Sequence, residues 1–179
     1  MKGVVFTEFI EMLEKAHGFA FTNDVIEGAD LASEGVYTAV GTYPASEMVS
    51  LVQTLSQKTD TEIPALLKTF GRHLFQSFLG YYPQFMENFD NSFDFLHTVD
   101  NHIHVEVKKL YPDAELPRFE TKNLENGDME MIYTSERKMA DLAEGLLEAA
   151  MEHWNETGTI AKSNLNEDGS KVLFTIRRK

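Results

Sequence analysis

The chain has 179 residues, enough for one domain with a sizeable core or one domain built of two lobes. Its 16 basic and 29 acidic residues leave a formal net charge of −13, which argues against nucleic acid or an anionic membrane surface as a partner, since both recruit a basic footprint. With no cysteine there can be no disulfide, thiolate zinc site, iron–sulfur cluster or cysteine nucleophile, so any metal must be held by His, Asp, Glu, Tyr or Met. The apolar run in MKGVVF is too short for a signal peptide, and nothing later reaches the length of a membrane span. A soluble, cytoplasmic protein is expected.

The first two-thirds of the chain reads helical. Val5, Phe9, Met12 and Leu13 recur at helical spacing, and Gly18 closes the pattern. A short second segment is expected around Asn23 to Ala32, followed by the turn-rich link GVYTAVGTYP. From Pro44 a cleaner helix begins, with Met48, Leu51, Val52 and Leu55 at i, i+3, i+4 and i+7. Thr61 is placed to cap the next helix, whose stripe of Ile63, Leu66, Leu67, Phe70, Leu74 and Phe78 ends at Gly80. YYPQFMENFDN reads as a loop, and Ser92 is placed to cap a helix running to Tyr111.

That last segment contains NHIHVEVKKL, which reads in two ways. As a strand it puts His102, His104 and Glu106 on one face, a two-His, one-carboxylate metal site. As a helix it turns residues two apart about 200° away from each other, and the triple comes apart. Over the longer window Leu96, Val99, Ile103, Val107 and Leu110 fall at spacings of 3, 4, 4 and 3, and Pro112 supplies a stop. The expectation is helix.

After Pro112 the character changes. LPRFETKNLENGDMEMIYTSER gives two extended runs joined at Asn126-Gly127, with Met129, Met131 and Tyr133 alternating. Ser135 is placed to cap a long helix to about Asn155, with Met139, Leu142, Leu146 and Ala149 on its inner face and Gly158 at its end. The final stretch is a second hairpin turning at Asp168-Gly169. The fold class is α+β: helices first, then a small antiparallel sheet of about four strands with one long helix inserted.

A lone histidine beside a core stripe is more often structural than a ligand. His97 shares nearly the same face as His104 but lies two turns away, roughly 10 Å along the axis, too far to share an ion. A single protein ligand suits a metal whose other bonds come from a cofactor, and haem held by one proximal histidine is the commonest such arrangement. Haem brings two propionates. YTSER offers Tyr133, Ser135 and Arg137 at alternate positions, on one face if the strand continues that far, with Arg137 able to fork onto a carboxylate. Otherwise the same stretch is an exposed strand end running into a helix cap.

Taken together, MKGVVF, FGRHLF, HVEVKKLYPDAELPRF, YTSER and LAEGLLEAA resemble the H-NOX family, the haem–nitric oxide/oxygen binding domains that include the haem domain of soluble guanylate cyclase. The resemblance covers essentially the whole chain and is to the bacterial stand-alone members. It implies a single haem domain, with a distal helical lobe over 1–60, a proximal lobe over 61–179 and non-covalent haem b between them. It places His104 at the axial-ligand position, seven residues before Tyr111-Pro112, and leaves His102 a solvated helix residue. Tyr133, Ser135 and Arg137 match the propionate-clasping motif, and Pro117 matches the proline that presses on and distorts the porphyrin. Val5, Phe9, Leu74 and Phe78 fall where relatives line the distal gas pocket.

The resemblance also speaks to the gas. Oxygen-binding relatives place a distal tyrosine that donates to bound O₂, and aligning on Gly145 puts Leu142 at that position, with Met139 and Ala140 as neighbouring alternatives that carry no better donor. The implied function is a sensor of nitric oxide and CO that excludes oxygen, and not an enzyme. Its signal passes by weakening of the iron–histidine bond and relaxation of the haem to a separate effector, in bacterial relatives a histidine kinase or a cyclic-di-GMP enzyme. The cysteine-rich zinc cluster of many bacterial relatives is missing, because the chain has no cysteine. Two rival readings remain: a non-haem metalloenzyme using His102, His104 and Glu106, and an interaction module that binds no cofactor.

Overall fold

Phe6, Phe9 and Leu13, one turn apart, bury the inner face of α1 (Gly3–His17) in the computed structural model, which describes residues 1–179. No side chain caps this helix. Its first N–H groups donate instead to a loop, Gly3 to Gly41 at 2.8 Å and Val4 to Ala39 at 2.9 Å. A side chain at Gly3 would collide with the Thr38 carbonyl, so glycine lets the loop close over the helix end. At the other end Gly18 takes φ +82°, and α2 (Phe19–Gly28) starts at the next residue. This helix begins and ends four residues earlier than Asn23 to Ala32, because one left-handed residue replaces the expected linker.

In α3 (Ala45–Thr59) all four residues of the predicted stripe, Met48, Leu51, Val52 and Leu55, are buried. The next helix, α4 (Ile63–Tyr81), follows its predicted stripe from Leu66 onward, Ile63 being exposed, and does not use its predicted cap. Glu62 precedes it without a side-chain cap, Pro64 stands in the first turn, and the Thr61 hydroxyl donates back to Thr59. Within the predicted loop, Pro83–Phe85 forms one 3₁₀ turn.

The ambiguous segment is helical. Its helical run comprises α5 (Ser92–Thr98), a π-helical turn at Val99–Ile103, and α6 (His104–Leu110). Asn91, not Ser92, caps it: the Asp94 N–H donates to Asn91 Oδ1 at 3.0 Å, while the Ser92 hydroxyl donates to Glu156.

Four antiparallel strands follow: β1 (Arg118–Asn123), β2 (Met129–Thr134), β3 (Gly158–Asn164) and β4 (Lys171–Arg178), in the order β1-β2-β4-β3. Period-two burial runs through β2, with Met129, Met131 and Tyr133 inside, and through β4, with Val172, Phe174 and Ile176. Both hairpins turn where predicted, Gly127 at φ +86° and Gly169 at φ +74°. Between β2 and β3 lies α7 (Ala140–His153). It starts later than Ser135 would set it, because Ser135 still pairs with the sheet, its N–H donating to Ser170 O at 2.9 Å. Gly158 opens β3 rather than ending α7.

α7 packs closely along α4. A Cβ on Gly71 would overlap the Leu142 carbonyl, and one on Gly145 the Lys68 carbonyl. Lys68 bridges to Glu144 at 2.9 Å and to Glu148 at 2.7 Å, one side of the same seam. Substituting Gly145→Val drives a branched side chain into backbone and is expected to cost about 3 kcal/mol, read as a lower denaturation midpoint. The hydrophobic interior falls into two clusters that divide within α4, Leu74 belonging to one and Phe75 to the other.

Candidate functional site

Where the two clusters part, a cavity of about 260 Å³ opens, and 25 of its 31 lining residues are hydrophobic. Val5 of α1, Leu74 and Phe78 of α4, and Leu142 of α7 line it. So do Ile103, His104 and Val107 of the π turn and α6, together with Pro117, Phe119, Tyr133, Ser135 and Arg137. Nine of the ten side chains that the family resemblance assigns to the haem site therefore meet at one cavity. The exception is Phe9, which is fully buried one layer behind, its ring edge-on to Phe70 at 5.1 Å. Phe9 shares a face of α1 with Val5 but lies one turn, about 6 Å, further along the axis, which sets it against Phe70 of α4 instead of at the cavity.

His104 is the one imidazole on the cavity wall. Burial pushes its pKa down, against the opposing pull of Asp100, and this favours the neutral form that a metal requires. Its Nδ1 lies 3.7 Å from Asp100 Oδ1, an acceptor that also takes the Phe119 N–H at 3.0 Å. His102 is exposed on the far side of the helix, and Glu106 is spent on Lys109 at 2.6 Å. The two-His, one-carboxylate alternative fails on this geometry. The helix turns the three side chains to different faces, and no group of three His, Asp or Glu side chains is placed to hold an ion.

The strand ends at Thr134, so the alternation from Tyr133 to Arg137 is not all strand, yet the three side chains still converge on the cavity. The Tyr133 hydroxyl accepts the Met139 N–H at 3.1 Å and keeps its own proton to donate. Ser135 Oγ accepts the Arg137 N–H at 3.2 Å, a tight turn that brings the guanidinium back over the opening. Arg137 donates through one nitrogen to the Glu115 carbonyl at 2.7 Å, and its side chain is 18% exposed. Two hydroxyls and a guanidinium at the rim of an apolar cavity suit a ligand that is hydrophobic in body and carboxylated at one edge.

Some site residues had no strong signal in the sequence. Asp100 stands four residues before His104, a spacing that puts it on the same helix face, and that was the available clue. Tyr82 and Tyr111 line the cavity and bring their hydroxyls to 3.2 Å, joining the end of α4 to the residue after α6. Lys2 Nζ donates to Asp113 at 3.1 Å and to Val40 O at 2.8 Å, while Thr42 Oγ1 donates to Asp113 Oδ2 at 2.6 Å. These pairs are separated by up to 111 residues, and no local pattern announces them.

A largely apolar space with one imidazole on its wall and carboxylate-binding groups beside it suits a haem protein with a single protein ligand. Comparison with known proteins gives the particular family. A family model described as haem-NO-binding matches residues 2–162. Among solved structures, the Fe(II) unliganded H-NOX protein from K. algicida superposes with a TM-score of 0.94 at 40% identity, covering 100% of this chain and 97% of that one. The H-NOX protein from S. oneidensis in the Fe(II)NO state gives 0.92 at 27% identity, covering 100% and 99%. The H-NOX from Shewanella woodyi in the Fe(II)CO state, bound to IWP-051, gives 0.84 at 38%, covering 100% and 95%. No curated protein matches the chain significantly. The chain belongs to the H-NOX family of haem-based gas sensors. No helix in it is long and apolar enough to cross a membrane.

Removing the rim donors is expected to loosen the cofactor without dismantling the fold. Arg137→Ala and Tyr133→Phe should each speed haem loss to a scavenging apo-globin, Arg137→Ala by about tenfold if it surrenders a charge-assisted bond of roughly 1.5 kcal/mol. Unchanged rates in both variants would remove these residues from the site.

Proposed function

We propose that this chain is a cytoplasmic sensor of nitric oxide and CO that excludes oxygen and acts through a separate protein. The observation that carries the reading is the placement of one imidazole, His104, on the wall of an apolar cavity that Tyr133, Ser135 and Arg137 also line. A ferrous haem b held there would supply the iron to which a diatomic gas binds. His104 would be its protein ligand, Arg137, Tyr133 and Ser135 would grip the propionates, and Pro117 would press on the ring.

The opposite wall supports the choice of gas. Val5, Leu74, Phe78 and Leu142 line the cavity and none carries a hydrogen-bond donor, while the nearby Tyr82 hydroxyl is engaged with Tyr111 at 3.2 Å. Oxygen depends on such a donor far more than nitric oxide or CO does, so this wall disfavours a stable oxygen complex.

Signalling would use a two-state element biased by the ligand. Release of His104 would free α6 and, three residues beyond its last residue Leu110, Asp113. That carboxylate is held by Lys2 and Thr42, so the movement reaches the N-terminal helices. The lobes that would shift are the distal 1–60 and the proximal 61–179, with α4 contributing to both hydrophobic clusters. A histidine kinase or a cyclic-di-GMP enzyme is the proposed class of recipient, and no catalytic role is assigned to the chain itself.

The absorption spectrum of the reduced protein tests this reading, taken before and after nitric oxide and again in air. A Soret band, a five-coordinate nitrosyl and no lasting oxygen complex are expected. Colourless protein after expression with ample haem would defeat the reading outright.

A further inference from the structure

The π turn Val99–Ile103 interrupts a helical run immediately before His104. Such turns are uncommon and concentrate at functional sites. Bonding from i to i+5 widens the helix, which brings side chains four residues apart more nearly into line than the α-helix does. Here the aligned pair is Asp100 and His104, with Nδ1 and Oδ1 3.7 Å apart. The same Oδ1 accepts the Phe119 N–H at 3.0 Å, a group on the free edge of β1 that no strand pairs. Phe119 in turn lays its ring beside the imidazole, centroids 5.8 Å apart, and beside Tyr133 at 5.7 Å.

We infer that Asp100 is the positioning residue of the His104 imidazole: its carboxylate favours the tautomer with the proton on Nδ1, leaves Nε2 to the cavity, and ties this ligand to the edge of the sheet. The inference rests on the haem reading of the cavity. An acceptor facing the non-ligating nitrogen of a metal-bound histidine fixes the ring and raises its basicity, which strengthens the bond to the metal. At 3.7 Å the pair is a charge contact longer than a hydrogen bond, so its effect scales with the charge on the partner. Asp100 would therefore set how firmly His104 holds a bound haem iron. A carboxylate anchored to β1 also links that hold to the strand that pairs with Tyr133.

The test compares ferrous haem-loaded wild type with Asp100→Asn and Asp100→Leu. Asparagine keeps an oxygen for the Phe119 N–H but loses the charge, and leucine loses both. The iron–histidine stretching band in resonance Raman spectra is expected to fall in frequency from wild type to Asp100→Asn to Asp100→Leu. The five-coordinate share of the nitrosyl should rise in the same order, and haem loss to apo-globin should quicken by about tenfold in Asp100→Leu. Asp100→Asn should melt with the wild type, so a band shift in that variant reports the ligand and not the fold. An unshifted band in Asp100→Asn would overturn the role of Asp100 while leaving His104 as ligand. Absence of any iron–histidine band from the wild type would overturn the ligand assignment and this inference together.

Discussion

Replacing His104 by glycine is expected to yield protein that no longer forms a five-coordinate ferrous haem, and added imidazole is expected to restore it. His104 is the one imidazole lining the cavity, most of the other lining side chains are apolar, and the Tyr82 and Tyr111 hydroxyls face each other at 3.2 Å. Loss of an outer-shell partner alone typically costs about 10–100-fold in metal affinity, so loss of the ligand itself should cost more. Visible spectra with and without imidazole make the measurement. The substitution leaves the fold largely in place, since the His104 side chain makes no strong bond within the protein beyond its 3.7 Å approach to Asp100. A five-coordinate ferrous spectrum from His104→Gly without imidazole would show that another group holds the iron.

Leu142→Tyr is the change expected to alter gas selectivity most. Leu142 lies near the start of α7 with its side chain on the cavity, where added bulk and a hydroxyl have space to enter. A phenol there would donate to a polarised oxygen ligand, a charge-assisted bond worth about 1.5–3 kcal/mol, which corresponds to roughly 10–150-fold in oxygen affinity. Nitric oxide and CO binding should change much less. Oxygen dissociation measured by stopped flow reads the difference directly. Wild-type protein that already holds oxygen stably in air would mean that the apolar wall does not discriminate as argued.

Much of the fold was legible because burial imposes a period. The stripes of α3 and α4, the alternation in β2 and β4, and the two Gly-centred hairpin turns are local patterns set by which face meets the core. The conflict at NHIHVEVKKL was decided correctly by length, because five apolar residues over four turns outweigh a six-residue alternation. Caps were less legible. Ser92 and Ser135 are good capping residues by type, but Ser92 is taken by Glu156 and Ser135 by the sheet, partners 64 and 35 residues away.

Some buried charges show the same limit. Glu8 looks like any other solvated carboxylate of α1, yet it is only 3% exposed, accepting from Ser77, from Tyr81 at 2.7 Å and facing His73 at 3.2 Å. That bond holds the Tyr81 hydroxyl up at about 12. Glu47 is equally buried, accepting from Ser33 and from Tyr37. Each is followed directly by an apolar residue, as is Glu11, which stays nearer the surface paired to Lys15.

The amino-acid order alone determined the periodic elements, the α+β class and the lack of any thiol chemistry, which depend on spacings of a few residues and on residue type. The pairing of His104 with Tyr133, Ser135 and Arg137 came from resemblance to a family and not from local pattern. The tertiary structure decided which of them meet: that Phe9 lies behind the cavity and not on it, that Asp100 faces the imidazole, and that Lys2 and Thr42 hold Asp113. Those contacts depend on how helices cross and where a π turn shifts the register, and both are settled by packing between segments that share no local pattern.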